Sequence, residues 1–309
     1  MAGKGKSLFL FLFLSLLFAS LSLGYPVTDI DDLDDSDDIF DPDDHHGPLV
    51  KKWNAVKPGS HGNRLWKDGE VKYKYKKESD QTKLADTLDE AMNTWYCAGL
   101  DSDKFKLTLI TDDEAKKMDR SDWLEISYVE GSLSTTPGCP TGGEPKSRLG
   151  LSTDIGFRDP VANIAHEIGH MFGLLHEHQN PLFWGTAGSG AVFKLNCENL
   201  ADYSSKTRFK SDNKKKEMCS NYQAAADAKF SAADILPILS GTQSEHALSA
   251  DEDDVDWQSI MLYSSAVGGK GKGSDRAHVL VKADGSEIPT RPNMRPSKKD
   301  VEGLVAIYS

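Results

Sequence analysis

Hydrophobic and polar residues follow two different periods in the first half of the chain. From Val71 to Tyr75 apolar residues alternate with lysines, which is typical of a half-buried β-strand. Between Leu84 and Trp95 apolar residues recur every three or four positions, which predicts a helix over about 80–96. Short apolar runs between turn-rich stretches predict three further strands, at Phe105–Ile110, Leu124–Val129 and Arg148–Leu151.

The last predicted helix lies near the carboxyl end of the sequence. Ser297 and Asp300 have the spacing of a capping box, and apolar residues at helical spacing follow up to Tyr308. The pattern as a whole predicts a chain that combines helices with short strands. No internal repeat interrupts it.

The first 24 residues have the pattern of a secretory signal peptide. Lys4 and Lys6 precede an almost unbroken apolar run over 8–18, and small residues lead up to Gly24. The alternative is a signal anchor, because residues 7–24 approach the length that spans a bilayer. No other segment is long and apolar enough to cross a membrane. We therefore expect a secreted, extracellular protein that has no membrane contact once the signal is removed.

Residues 25–52 differ in composition from the rest of the chain. Ten aspartates fall between Asp29 and Asp44, so residues 1–52 hold about half of the net charge of −12. Such a segment cannot bury enough apolar surface to fold alone. It ends at the dibasic pair Lys51-Lys52, which predicts a removable pro-segment. The sequence lacks the excess of lysine and arginine that is typical of nucleic-acid-binding proteins, so we expect no nucleic-acid partner.

Four cysteines fit an exported protein with two disulfide bonds. Four cysteines allow three pairings. We favour Cys97–Cys139 and Cys197–Cys219, since each closes a modest loop; the alternative is that some of the thiols are free and buried.

The candidate functional residues lie on a predicted helix that begins at Asp159-Pro160. This is a good helix start, because Asp caps free N–H groups and Pro suits the first helical position. An apolar stripe follows at helical spacing. His166 and His170 are one turn apart on a single face, and Glu167 is offset beside them. This is the H-E-x-x-H arrangement of zinc hydrolases.

The spacing suits a single catalytic Zn²⁺. Zinc accepts imidazole nitrogens, and a catalytic site needs a third protein ligand and an open position for water. Gly173 can end the helix in a left-handed conformation, which lets His176 return to the metal. Glu167 is then free to act as general base. The alternative is a zinc ion that only braces the fold, but such a site has no need of Glu167.

The run from His166 to His176, H-E-x-x-H-x-x-G-x-x-H, resembles the metzincin zinc endopeptidases. Glu177 after the third histidine resembles the astacin branch, and Ser259–Tyr263 (S-I-M-L-Y) is similar to the astacin Met-turn. The resemblance implies that Met261 forms an apolar floor beneath the metal. It also implies that Tyr263 is a further zinc ligand at rest and stabilises the oxyanion during the reaction.

The resemblance also implies how the protein is activated. Phe40–Asp43 is similar to a pro-segment motif whose last Asp ligates zinc, so Asp43 is the candidate latch of a zymogen. Cleavage near Lys52–Asn54 would create a new N-terminus that interacts with Glu177. The catalytic domain would span 53–309, with an atypical insertion at about 200–250.

The implied fold is α+β, in two subdomains. A mixed twisted sheet with two long helices precedes an irregular carboxyl-terminal half with one helix, and the cleft between them holds zinc. A protein or peptide substrate would pair with the edge strand of the sheet, for which we nominate Arg148–Leu151. The implied function is that of a monomeric zinc metalloendopeptidase made as a zymogen. There are two alternatives. One is a binding protein that has a protease fold without protease activity, and the other is a structural protein whose fold is stabilised by zinc.

Overall fold

The computed structural model describes residues 53–59, 63–185, 191–239, 251–291 and 294–309. The predicted signal peptide, the acidic pro-segment and Asp43 lie outside these residues. Among the helices in the described ranges, none combines the length and apolar character that a bilayer crossing requires.

The described residues form nine strands and seven α-helices, with short 3₁₀ turns between them. The strands are β1 Asn63–Arg64, β2 Glu70–Tyr75, β3 Lys106–Leu109, β4 Leu124–Tyr128, β5 Leu133–Thr135, β6 Cys139–Pro140, β7 Lys146–Leu149, β8 Phe193–Leu195 and β9 Leu280–Lys282. The helices are α1 Glu78–Cys97, α2 Asp112–Ala115, α3 Pro160–Phe172, α4 Tyr203–Thr207, α5 Asp212–Met218, α6 Tyr222–Asp227 and α7 Lys298–Ile307.

The main sheet has five strands in the order β3-β2-β4-β7-β5. The first four run parallel, and β5 is antiparallel to β7. The α+β class with a mixed sheet and two long helices is therefore confirmed. Our choice of edge strand is wrong: β7, which we expected at Arg148–Leu151, pairs on both sides. The edge on this side of the sheet is β5, whose short polar sequence gives no periodic signal.

Helices α1 and α3 bury their apolar residues in one core with the sheet. Leu84 and Trp95 of α1 are fully buried, and the Trp95 indole N–H donates to the carbonyl of Ala165 in α3 at 2.9 Å. Helix α7 closes the same core with Leu304, and the hydroxyl of Tyr308 donates to the carbonyl of Phe172 at the end of α3. Helix α3 is thus fixed on several sides.

A second apolar cluster is formed by residues between Leu182 and Ile288, which include the segment expected as an insertion. The described part of that segment contains the short helices α4, α5 and α6. The predicted disulfide Cys197–Cys219 is present and ties the start of this segment to the end of α5.

The predicted disulfide Cys97–Cys139 is wrong, because both cysteines are free. Cys97 is exposed at the end of α1, whereas Cys139 is buried in β6 opposite Arg64. The thiol of Cys139 donates to the carbonyl of Ser121 instead.

Candidate metal centre

Helix α3 begins and ends as its sequence predicts. Asp159 caps it, with its carboxylate accepting from the backbone N–H groups of Val161 and Ala162, and Pro160 occupies the first helical position. Gly173 ends it at φ 107°. A Cβ at that position would lie 3.0 Å from a methyl group of Val56, so both the backbone conformation and the space require glycine.

The chain after Gly173 is fixed by the amino-terminal segment of the described domain. Val56 donates its N–H to the carbonyl of Gly173 and Leu175 donates to Asn54, at 2.9 and 2.8 Å. The Asn54 amide donates to the carbonyl of His176 at 2.9 Å. The third histidine is therefore placed by residues more than a hundred positions upstream.

The structure brings His166, His170 and His176 together. One ligand nitrogen from each lies within 4.8 Å of the others. The Nδ1–H groups donate outwards, to the carbonyls of Ile260 and Leu174 at 2.8 Å and to the Gln179 side-chain oxygen at 2.7 Å. All three Nε2 atoms are consequently unprotonated, with lone pairs available for a cation.

The electrostatics of the three imidazoles favour a bound cation. Burial lowers the pKa of His166 to about 3 and that of His170 to about 4, and holds the pKa of His176 well below its usual value. Nε2 of His170 and Nε2 of His176 are only 3.2 Å apart. Two facing lone pairs repel at this distance, and a metal ion between them removes the repulsion. This donor set fits a divalent transition metal.

Glu167 lies beside the imidazoles with no partner for one of its oxygens. Only 3% of the residue is exposed, and Oε2 makes no hydrogen bond to any described group. Burial raises the pKa of this carboxyl to about 7. An orphaned, buried carboxyl with such a pKa can both accept and release a proton near neutrality.

Met261 contacts helix α3, whereas Tyr263 contacts the histidine rings. Met261 packs under α3, where its sulfur occupies the space that a Cβ on Gly169 would need. The Tyr263 ring lies 4.3 Å from the ring of His176 and 5.7 Å from that of His166, measured between centroids. Burial and nearby carboxylates hold the pKa of its hydroxyl well above the usual value, so the hydroxyl stays protonated.

Glu177 belongs to a buried acidic group with Asp256 and Asp300. Its Oε1 accepts from the backbone N–H of Asp256 at 3.1 Å. Burial and the two neighbouring carboxyls raise its pKa to about 8. Within the described ranges, no lysine or arginine lies within salt-bridge distance of these three residues.

Two cavities flank the centre and share Leu133, Glu167 and Tyr263. One, of about 310 Å³, extends towards Gly131 and Arg276. The other, of about 330 Å³, extends past Thr135 towards Tyr222 and Ile238. The edge strand β5 therefore borders a cleft that passes over the candidate centre.

Sequence reasoning missed Gln179 as a supporting residue and gave His178 little weight. Gln179 lies three positions after His176, a spacing that could have indicated its hydrogen bond to that imidazole. His178 is fully buried, and its ring stacks on His176 with 5.1 Å between centroids. No sequence pattern indicates the acceptor of its Nε2–H, which is the carbonyl of Asp234.

No protein-family model and no curated protein sequence matches this chain. Among solved structures, the chain is similar to high choriolytic enzyme 1, a hatching enzyme zinc-protease from Oryzias latipes (Medaka fish). The TM-score is 0.46 and the sequence identity 14%, over 82% of this chain and 98% of that chain. At this level of similarity, a functional conclusion has to come from the geometry of the site itself.

Proposed function

We propose that this protein is a zinc-dependent endopeptidase, a metalloendopeptidase that is secreted as a zymogen. The observation that carries the proposal is the convergence of three unprotonated imidazole nitrogens beside the unpartnered carboxyl of Glu167. A site that only braces the fold has no use for an orphaned carboxyl next to its ligands. The H-E-x-x-H spacing and the resemblance to astacin-like enzymes favour zinc among the metals that accept three imidazoles.

His166, His170 and His176 would hold the ion. When bound, zinc acts as a Lewis acid and lowers the pKa of a coordinated water towards neutrality. The outward hydrogen bonds to Ile260, Leu174 and Gln179 fix the ring orientation and the tautomer that ligation requires.

Glu167 would move the proton. Its carboxyl accepts a proton from the attacking water and then delivers it to the amine that leaves when the peptide bond breaks. Burial raises the pKa of this carboxyl above its ordinary value, which favours its protonation once it has taken the proton from water.

Tyr263 would donate a hydrogen bond to the oxyanion that develops on the peptide carbonyl. Its ring lies among the histidines and its hydroxyl stays protonated, which are the two properties that this role requires. We also propose that Tyr263 would be a further ligand of the metal before substrate binds.

The substrate would lie extended along β5. An unpaired sheet edge offers backbone donors and acceptors to a peptide, and this edge borders both cavities at the centre. A protein or peptide in extended conformation is therefore the substrate class that we propose.

Secretion and activation by cleavage belong to the same proposal. The disulfide Cys197–Cys219 suits an oxidising compartment. Residues 54–56 are already bound against 173–175, and Glu177 lies buried in an acidic group that no described lysine or arginine approaches to ion-pair distance, although Lys299 and Arg291 act on the group from further away. A new α-amino group created near Trp53 would supply that charge.

The experiment compares hydrolysis of an unfolded protein by the full chain and by chains that start between residues 50 and 58. Each is assayed as prepared, after chelation, and after zinc is restored. We expect cleavage only with metal, and more of it after trimming. Cleavage by the full chain equal to that of the trimmed chains would refute the zymogen. A folded, zinc-loaded set that cleaves nothing would favour a binding protein, and unfolding on chelation without any activity would favour structural zinc.

A further inference from the structure

One wall of the cleft is built by the segment between the disulfide and residue 239. Tyr222, Ala233, Asp234 and Ile238 line the 330 Å³ cavity that also contains Glu167 and Tyr263. This segment lies in the region expected as an insertion, and none of the catalytic roles proposed above uses it.

The wall is attached to the metal centre through Gln179 and His178, the two residues that contact His176. The Gln179 amide, whose oxygen holds His176, donates to the carbonyls of Ala233 and Leu236 at 2.9 and 3.0 Å. His178 donates to the carbonyl of Asp234 at 3.0 Å, and Ile238 donates its N–H to the carbonyl of Gln179 at 3.1 Å. The position of the wall relative to the metal centre is thus fixed by backbone groups.

The side chain of Asp234 is not used by this attachment. Among the described residues, only its backbone carbonyl accepts a hydrogen bond, and the residue is exposed where it lines the cavity. Partial desolvation and the neighbouring Asp202 raise the pKa of its carboxyl to about 6, so it is still mostly ionised at neutral pH. No lysine or arginine lines this cavity, and the described residues place no cation within ion-pair distance of the Asp234 carboxylate. The carboxylate of Asp202, bonded to the backbone N–H of Ser231, adds to the negative potential.

The other cavity differs in charge, because the positively charged Arg276 lines it. Along β5 the Arg276 cavity lies near Gly131 and the Asp234 cavity near Thr135 and Pro137. A peptide that pairs antiparallel with β5, the stronger of the two pairings, places its residues before the scissile bond against the Asp234 cavity.

We infer that Asp234 makes this cavity a subsite for a basic side chain, so that the enzyme prefers lysine or arginine shortly before the scissile bond. The inference rests on the proposed peptidase function and names its substrate class. The alternative is that Asp234 is one more solvated surface carboxylate, with no effect on which peptide is cleaved.

The test uses the zinc-loaded protein and a set of peptides that differ at one position. Lys, Gln or Glu is placed in turn at each of the three positions before the scissile bond, and kcat/KM is measured. At one of these positions we expect Lys to exceed Glu by about threefold to tenfold, the range of a partly exposed ion pair. Asp234→Asn removes this preference and Asp234→Lys reverses it, each measured as the ratio of kcat/KM for the Lys and Glu peptides to that for the Gln peptide of the same variant.

Asp227→Asn is the matched control. Asp227 is exposed on α6 in the same segment and does not line the cavity, so this variant retains the preference for Lys. Equal rates for Lys and Glu peptides at all three positions would overturn the inference. So would a preference for Lys that survives in Asp234→Asn.

Failure of the peptidase function itself gives a different result, since the Gln peptides are then not hydrolysed either. In that case binding of the labelled Lys and Glu peptides to the zinc-loaded protein still tests the subsite. Tighter binding of the Lys peptide that is lost in Asp234→Asn supports the inference, and equal binding overturns it.

Discussion

At the scale of single residues, the three imidazoles are prepared for a metal by their Nδ1 partners. His166 and His170 could be assigned from sequence because one helical turn separates them. The acceptor for His166 could not, because the carbonyl of Ile260 is 94 positions away and is placed only by the tertiary fold. The contact of Gln179 with His176 could have been proposed from sequence, because only three positions separate the two residues.

Tyr263→Phe tests the role of the tyrosine hydroxyl. We expect kcat to fall by about 10²-fold with little change in KM, because the hydroxyl donates to an oxyanion that exists only in the transition state. Steady-state kinetics on one peptide, with the zinc content measured in parallel, checks this. Tyr222→Phe, which changes a tyrosine of the same cavity, leaves kcat within twofold. Unchanged kcat in Tyr263→Phe would exclude the oxyanion role.

At the scale of elements, helix α3 was predictable in type, start and end, whereas the edge of the sheet was not. The helix carries its own signals in Asp159, Pro160 and Gly173, and these are local. Which strand lies at the edge depends on the pairing of β5 with β7, a contact between segments that pattern alone does not order. The same limit explains the wrong pairing of Cys97 with Cys139, since loop length carries no information on which thiols meet.

Gly173→Ala tests the turn that returns His176 to the centre. The substitution forces an L-residue to a positive φ and crowds Val56, so we expect a loss of about 1–3 kcal/mol in unfolding free energy and weaker zinc binding. Gly99→Ala is the matched control: Gly99 has φ 102° with nothing within 4 Å of a Cβ. That variant is destabilised without any change in zinc affinity. Equal zinc affinity in both variants would contradict our account of the turn.

Removal of the disulfide tests the second apolar cluster. With Cys197 and Cys219 both replaced by Ser, a loop closed over 22 positions is opened, and we expect a loss of about 3 kcal/mol in urea unfolding. Cys97→Ser is the control, because an exposed free thiol contributes within about 0.5 kcal/mol. If Cys97→Ser destabilised the protein as strongly as the double variant, our assignment of the disulfide would be incorrect.

At the scale of the whole molecule, the candidate centre lies where the two apolar clusters meet. Met261 belongs to the cluster of the sheet and α3, and the neighbouring Leu262 belongs to the cluster of the second half. Sequence predicted four of the five strands of the main sheet and the three longest helices, because these follow from periodicity and capping signals, whereas the α+β class followed from the resemblance. The cleft wall around Asp234 was not predictable, since its helices are short and have no extended amphipathic pattern. The assignments of residues 1–24 and 25–52 remain predictions.

Asp300 links α7 to the segment of Met261 and makes stability depend on pH. Its carboxylate accepts from the Ser259 hydroxyl and from the N–H groups of Ile260 and Ser297. Burial, with a smaller contribution from Asp256, nevertheless raises its pKa from 3.8 to about 6. The folded protein therefore binds this proton more tightly than the unfolded chain does. The resulting stabilisation is complete below pH 4 and is lost as the pH rises to 6.

A comparison of wild type with Asp300→Asn tests how much the Asp300 carboxyl contributes to the pH dependence of the unfolding free energy. We expect the stability of wild type relative to the variant to decrease between pH 4 and pH 7 by on the order of 3 kcal/mol. Urea unfolding at each pH, with equal zinc loading, measures the difference. A difference that does not vary with pH would show that the carboxyl titrates as it does in the unfolded chain.

The most direct test of the central claim is kcat/KM for Glu167→Ala at full zinc occupancy. Glu167 contributes no ligand to the histidine cluster, so we expect one zinc ion per chain, an unchanged fold, and a loss of about 10²–10⁴-fold in rate. Such a result assigns the proton transfer to the orphaned carboxyl beside the imidazoles. A zinc-loaded Glu167→Ala protein that hydrolyses peptides as fast as wild type would contradict the account.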